Sequence, residues 1–363
     1  MNILHVDTAD TWRGGQAQVY HLIDHLPDSV NNHLITPDDS ELARRLQDRD
    51  VPVQLHHHPM RGEWDVPAAW RIHSVVQDED IHLTHAHDST GHGLCWMRGM
   101  FASDPVPLVV TRRLELEVGQ NVFSRKKYEA VDRFIAISPT VKQALVDCEL
   151  DRERISVIPS GMDLDDINST DPAPELLRDL DLDPDRPVIG NVGALTEQKD
   201  QETFIKAADH VLEDHPEAQF VIAGKGDLEK DLQTLIQDLD REGDIVLAGF
   251  QEHIIGFIKT FDLFVLTSVF EGLCSTLTQV MASRVPVVAT DVGGVPDLVE
   301  HGETGRLTAP ESPEQTADEI RAFLEDGHPY EQYVENAYER ARSYDYPQLA
   351  RRTVELYREV MDE

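Results

Sequence analysis

Apolar residues recur in two alternating rhythms along the chain. Short β-branched runs with few charges occupy residues 2–7, 33–36, 53–56, 81–85, 108–112, 133–137 and 155–158. Between them lie stretches with apolar positions three and four apart, including 16–26, 68–77 and 139–146, the pattern of helices that bury one face. Pro139 follows Ser138, a proline in the first turn behind a capping hydroxyl. Strands alternating with helices in this way predict a parallel sheet covered on both faces. Residues 159–187, PSGMDLDDINSTDPAPELLRDLDLDPDRP, are dense in Asp and Pro and interrupt the rhythm, so the domain boundary is placed there, at 165/166. The alternation restarts with strands at 188–192, 219–223, 244–247, 263–267 and 285–290 and helices at 201–212, 228–241 and 274–283. Late helical patterns cover 313–325, 330–343 and 348–361. The chain therefore reads as two doubly wound α/β domains, 1–165 and 166–345, each with a ligand crevice at the carboxyl ends of its strands.

Composition narrows the function. The 363 residues suffice for two cores of ordinary size. Asp and Glu number 68 against 32 Lys and Arg, a net charge of −36, which disfavours nucleic acid as a partner. No apolar run approaches the ~18–20 residues of a membrane span, and MNILHVDTAD lacks the order of a signal peptide; a cytoplasmic protein is expected. Cys95, Cys148 and Cys274 form no CxxC, so neither a disulfide framework nor a thiolate metal site is expected. The acids are dispersed, and lysines number eight against 24 arginines. Such a surface stays hydrated where salt screens charge within a few ångströms, which points to a salt-rich cytoplasm.

Several turns carry candidate chemistry. Gly14-Gly15 follows the first strand and precedes the first helix, where backbone can approach a ligand and free N–H groups can meet an anion. Gly224-Lys225-Gly226 ends one strand and opens another helix without completing a dinucleotide fingerprint. Glu271-Gly272-Leu273-Cys274-Ser275-Thr276 brings a carboxylate and a row of amides to a helix start, a place for a diphosphate beside polar hydroxyls. Thr290-Asp291-Val292-Gly293-Gly294-Val295-Pro296 lies on the same sheet edge. Arg112 and Arg113 end a strand where an anionic acceptor or a phosphate would bind, in balance with a plain surface ion pair. Arg125-Lys126-Lys127 begins a helix that a membrane surface would attract. His56-His57-His58 alternate faces, so at most two could share an ion, and the Asp strings at 163–165 and 179–185 read as solvated charge. No metal site is assigned.

The run from Ser268 to Asp297, SVFEGLCSTLTQVMASRVPVVATDVGGVPD, resembles the donor-binding signature of retaining GT-B glycosyltransferases of family 4. Further landmarks fall in order: Gly14-Gly15, His85-Ala86-His87, Ile135-Ala136-Ile137-Ser138, Val157-Ile158-Pro159-Ser160-Gly161-Met162-Asp163, Val192-Gly193 with Lys199, and Ile222-Ala223-Gly224-Lys225-Gly226. The resemblance implies two Rossmann-like domains facing a central cleft, with the last helix returning to the N-terminal domain. It implies transfer of a hexose-type sugar from a nucleotide diphosphate sugar to a glycan or lipid-linked acceptor, with retention and without metal or cofactor. Lys199 would face the phosphates, Glu271 the sugar hydroxyls, Gln279 the ribose, and His87 the reacting sugar. Gly193, Gly224 and the amides of Leu273, Cys274, Ser275 and Thr276 complete the donor side. Gly14 and Gly15 approach from the N-terminal domain, with Arg13 a source of added positive charge. Two positions depart from the signature. Gln279 replaces an acid and Ala194 an arginine, which leaves a nucleotide-sugar-binding paralogue of low turnover as an alternative, beside a sugar-nucleotide 2-epimerase. The acid-rich composition carries its own test. Thermal unfolding followed from low to molar KCl should show rising stability, and a salt-independent Tm would refute the salt-adapted reading.

Overall fold

The computed structural model describes residues 1–102, 106–113, 122–325 and 330–362. The chain divides into two compact units, Met1–Gly161 with Tyr346–Glu363, and Met162–Asp345.

In the first unit the elements run β1 (Asn2–Val6), α1 (Gly14–His25), β2 (Asn31–Thr36), α2 (Glu41–Asp48), β3 (Val53–His57), α3 (Val66–Asp78), β4 (Leu83–Ala86), α4 (Ser89–Gly99), β5 (Leu108–Arg112), α5 (Val122–Glu129), β6 (Arg133–Ala136), α6 (Pro139–Asp147) and β7 (Ile155–Val157). All seven strands are parallel, in the order β3-β2-β1-β4-β5-β6-β7. The order reverses between β1 and β4, the switch point where such sheets open a crevice. Helices α2 and α4 go beyond the three helical patterns read in the first 150 residues. Each is set by a side-chain cap, Ser40 accepting from the Ala43 amide and Asp88 from the Gly91 amide. Apolar periodicity is faint in α4, whose sequence STGHGLCWMRG holds three glycines, so the cap carries the signal that spacing lacks. Gly14 and Gly15 are the first two residues of α1 rather than a turn ahead of it. Arg125, Lys126 and Lys127 lie within α5 rather than at its start.

The second unit runs α7 (Leu164–Ser169), α8 (Pro174–Arg178), β8 (Val188–Val192), α9 (Gln201–Leu212), β9 (Gln219–Ala223), α10 (Glu229–Asp238), β10 (Ile245–Gly249), α11 (Ile254–Ile258), β11 (Leu263–Leu266), α12 (Ser275–Ala282), β12 (Val287–Thr290), β13 (Arg306–Thr308), α13 (Pro313–Leu324) and α14 (Tyr330–Ala341). Its six parallel strands lie in the order β10-β9-β8-β11-β12-β13. Strand β13 has only three residues and an Arg-Leu-Thr sequence with no apolar run; pairing with β12 makes it a strand.

Helix α15 (Tyr346–Asp362) closes the chain and belongs to the first unit. Its Ala350, Val354, Leu356, Tyr357 and Val360 pack with Ile3, Leu83, Val109, Ile135 and Ile158. The division falls at 161/162, four residues before the expected 165/166, and hydrogen bonds give the reason. Gly161 is clamped by Gln18 of α1, its N–H donating to Oε1 at 2.7 Å and its carbonyl accepting from Nε2 at 2.8 Å. The next N–H, of Met162, donates to the Tyr344 carbonyl at 2.7 Å, and Met162 and Leu164 join the core of the second unit. Among the described residues no helix is long and apolar enough to cross a membrane.

Close packing leaves Gly190 of β8 no room for a side chain, because an added Cβ would lie 2.2 Å from the Phe261 ring. Gly190→Ala should therefore lower stability by about 1–3 kcal/mol in urea unfolding. Gly99→Ala, where a Cβ meets nothing, should stay within about 0.5 kcal/mol of the parent. Equal losses would overturn this packing account.

Candidate functional site

In the second unit, the loops after β8, β11 and β12 converge at the carboxyl edge of the sheet. Lys199 ends a short 3₁₀ turn, Glu197–Lys199, after β8. Asp200 follows with φ at 45° and caps α9 by accepting from the Thr203 amide. Thr267, after β11, fixes this turn by donating its hydroxyl to the carbonyls of Lys199 (3.2 Å) and Asp200 (2.8 Å). The Lys199 ammonium then reaches Glu271 Oε1 at 2.5 Å. Ser268 Oγ donates to the same oxygen at 2.7 Å, so Oε1 takes both donors. Glu271 is only 4% exposed. Burial pulls the Lys199 ammonium toward lower pKa, but Cys274 and Glu271 beside it outweigh burial and leave it raised. The ammonium stays charged.

Glycine packing holds the Glu271 loop. The Gly294 N–H donates to the Glu271 carbonyl at 2.8 Å, and Gly293 has φ of 49°. A Cβ at 293 would stand 2.0 Å from the Glu271 carbonyl oxygen, and one at 294 would stand 1.9 Å from that of Gly272. Similarly, a Cβ at Gly224 would meet the Gly193 carbonyl at 1.8 Å, and at Gly226 the Leu195 carbonyl at 2.2 Å. Loop-on-loop contact therefore requires glycine at 224, a residue that the resemblance assigns to the donor side. Gly193 faces Lys199, whose Cδ would lie 3.4 Å from an added Cβ.

Helix α12 begins beside Glu271. Cys274 is its N-cap and offers no side-chain cap bond, and the first turn holds no acid. The first-turn amides of any helix lack intrahelical acceptors, so Ser275 and Thr276 stand at an electropositive helix end. Burial, with Glu271 nearby, pushes the Cys274 thiol up to about 12, so it is neutral at physiological pH and does not repel an anion there. Leu273 and Gln279 are half-buried in the same segment. The structure thus groups Lys199, Glu271, Gly193 and the α12 start. Sequence reasoning missed Ser268 and Thr267, whose small hydroxyls carry no pattern of their own.

In the first unit, Arg13 is the exposed N-cap of α1 and makes no side-chain cap bond. Gly15 lies near Arg113, whose Nη1 would be 4.0 Å from an added Cβ. Arg113 Nη1 donates to the His87 carbonyl at 2.7 Å. Arg112 differs from the expected open acceptor contact: it is buried and donates to Ser89 Oγ at 3.1 Å and to the Tyr128 hydroxyl. His87 is buried and lines a cavity of about 20 Å³ with His85, Thr111, Arg113, Ser160 and Gln18, room for about one water. His56 is taken up by His33 at 3.2 Å. Lys127 pairs with Glu63, and Arg125 with Glu129 and Glu149.

These features define a class before they define a chemistry: two Rossmann-like domains of GT-B type, with a cation, an acid and a bare helix end at one sheet edge. Residues 173–340 match the glycosyl transferases group 1 family and residues 12–166 glycosyltransferase family 4. The chain belongs to these group 1, family 4 glycosyltransferases. It is 36% identical over 155 residues to the alpha-D-kanosaminyltransferase of Streptomyces kanamyceticus, covering 42% of this chain and 40% of that one. It is 26% identical over 261 residues to the UDP-Gal:alpha-D-GlcNAc-diphosphoundecaprenol alpha-1,3-galactosyltransferase of Escherichia coli, covering 67% and 66%. The match spans less than half the length of the first curated relatives. The fold is that of Anabaena Alr3699/HepE, solved in complex with UDP, with a TM-score of 0.82 at 21% identity over 99% of this chain and 100% of that one.

Asp7, after β1, gives the first unit a titration of its own. It is fully buried, and burial, with Asp88 nearby, pushes its carboxyl from 3.8 up to about 6 despite bonds from Gln16 and the Ala9 amide. A raised acid stabilises the fold below the unfolded value, and that stability is lost as pH rises through about 6. The size is about 2–3 kcal/mol. Asp7→Asn should therefore gain about that much relative to the parent between pH 4 and pH 7 in urea unfolding; a pH-independent difference would contradict the burial.

Proposed function

We propose that this protein is a retaining glycosyltransferase that moves a hexose-type sugar from a nucleotide diphosphate sugar to a glycan or lipid-linked acceptor. The observation that carries the reading is the Lys199–Glu271 contact beside the uncapped start of α12. In the reaction the bond from the anomeric carbon to the diphosphate oxygen breaks. The acceptor oxygen bonds that carbon on the same face, and its proton passes to the departing diphosphate. Lys199 and the amides at Ser275 and Thr276 stabilise the charge that grows on the leaving group. No metal or cofactor is invoked, because the ammonium and the helix end supply the positive potential. Glu271 keeps Oε2 free of the two donors that hold Oε1, so that oxygen accepts from sugar hydroxyls. Gln279 accepts a ribose hydroxyl through a neutral carbonyl, which binds less strongly than a carboxylate. We assign His87 to the reacting sugar, and Gly14, Gly15 and Arg13 to the phosphates. The UDP complex of the Anabaena neighbour supports a nucleotide donor, and the name of the Escherichia coli relative supports a lipid-linked acceptor.

Such a donor places the reaction in the cytoplasm, with peripheral membrane contact. Supporting that contact, Trp64, Val66, Trp70, Met100 and Phe123 are all exposed on α3, α4, α5 and their flanks. Ala194 and Gln279 favour a second reading, a paralogue that binds nucleotide sugar with little turnover.

Release of nucleoside diphosphate from a panel of UDP-, GDP- and ADP-sugars, with and without glycan or lipid acceptors, separates the two. Turnover of one donor is expected; binding without turnover would establish the paralogue. Lys199→Ala should cut the rate by about 10²–10³ and, by leaving the buried Glu271 carboxylate without its counter-charge, lower stability by about 3–5 kcal/mol in urea unfolding. Parent-like turnover in that variant would remove this loop from the phosphate site.

A further inference from the structure

Three histidines share one face at the carboxyl edge of the first sheet. His5 of β1 stands in register with His85 of β4, and His87 follows two residues on, where side chains return to the same face. All three are buried. His5 Nε2 lies 3.3 Å from Asn32 Oδ1, and His5 Nδ1 lies 3.0 Å from His87 Nε2. The remaining nitrogen, His87 Nδ1, is buried without a partner, in a residue that lines the small cavity with Arg113, Thr111 and Ser160.

The order of protons along this chain follows from one atom. An amide oxygen only accepts, so the proton of a neutral His5 sits on Nε2. His5 Nδ1 is then a lone pair, and the hydrogen bond to it requires the proton of His87 on Nε2. His87 Nδ1 is left bare. We infer that Asn32 and His5 are positioning residues that hold His87 in this tautomer, so that it offers a hydrogen-bond acceptor to a sugar hydroxyl. The inference rests on the proposed placement of His87 beside the sugar.

Burial keeps the chain neutral: it holds His5 at about 4 and His87 well below its ordinary value, with His85, His5 and Arg113 adding to the effect at His87. The ligand atoms of His5, His85 and His87 also lie within 4.8 Å of one another, a spacing that can hold a metal ion. Two features favour the relay. Both nitrogens of His85 are occupied, Nδ1 by the Tyr357 hydroxyl at 2.6 Å and Nε2 by Thr111 Oγ1 at 2.7 Å. In addition, the set holds no carboxylate, and the Arg113 guanidinium donates to the His87 carbonyl.

Nitrogen NMR of the intact protein, with labelled histidine, tests the relay without any substrate. The parent should show a bare Nδ1 and a protonated Nε2 at His87. Asn32→Asp, whose carboxylate likewise accepts, should preserve that pattern, whereas Asn32→Leu should give mixed tautomers at His5 and His87. Retention of the parent pattern in Asn32→Asp separates loss of the acceptor from disturbance of the site by substitution as such. A bare Nε2 at His87 in the parent, or unchanged tautomers in Asn32→Leu, overturns the relay, as does stoichiometric zinc uptake that His5→Phe abolishes. In donor turnover, Asn32→Leu should raise KM up to about tenfold with kcat little changed, the effect of one hydrogen bond. Shifted tautomers with an unchanged KM would overturn the placement of His87 beside the sugar and leave the relay standing.

Discussion

The contact between the Lys199 ammonium and the Glu271 carboxylate, 2.5 Å apart, organises the carboxyl edge of the second unit. A carboxylate this buried needs a counter-charge and donors, since an unpaired one costs several kcal/mol. Lys199 and Ser268 supply them. Because the ammonium and the carboxylate come from the loops after β8 and β11, the pair ties two crossovers together. Thr267 secures the Lys199 turn from beneath, and the Gly293-Gly294 turn after β12 presses on the Glu271 backbone. The acid, the cation and the start of α12 are therefore fixed together.

Glycine has a specific use in this arrangement. Gly224, Gly226, Gly293 and Gly294 lie where a Cβ would come within about 1.8–2.2 Å of a carbonyl oxygen in another loop. No side chain fits such distances, so neighbouring crossovers can meet backbone to backbone at the sheet edge. A motif rich in glycine thus does not require that a ligand touch each one. It is enough that the loops carrying Lys199 and Glu271 be held at a fixed spacing.

The first unit meets the same need by other means. Its edge is built from buried polar side chains: His5, Asp7, His85, His87, Thr111 and Arg112. Buried polar groups require partners, and Asn32, Gln16, Tyr357 and Tyr128 provide many of them. Tyr357 comes from α15, so the C-terminal helix does more than cover apolar surface. It satisfies His85, which stands in register with His5.

Much was legible in the sequence because it depends on local physics. Apolar periodicity placed every strand of the first sheet and five of the six in the second, since a parallel strand buried on both faces must be apolar throughout. The motif order from Gly14 to Asp297 marked the family, and Lys199, Glu271, Gly193 and the α12 start were all named from it. The short strand β13 escaped because it exists only by pairing with β12. Helix α4 escaped because its cap, rather than its spacing, defines it. The division at 161/162 is set by the Gln18 clamp across 143 residues of chain, and the burial of Arg112 by Tyr128 and Ser89. His5 looked like one more strand residue until the register of β1 with β4 brought it to His87. Sequence spacing fixes what a residue can do along its own element. Which distant group it meets is decided when the sheet assembles, because hydrogen bonds between buried side chains depend on distances that only packing sets.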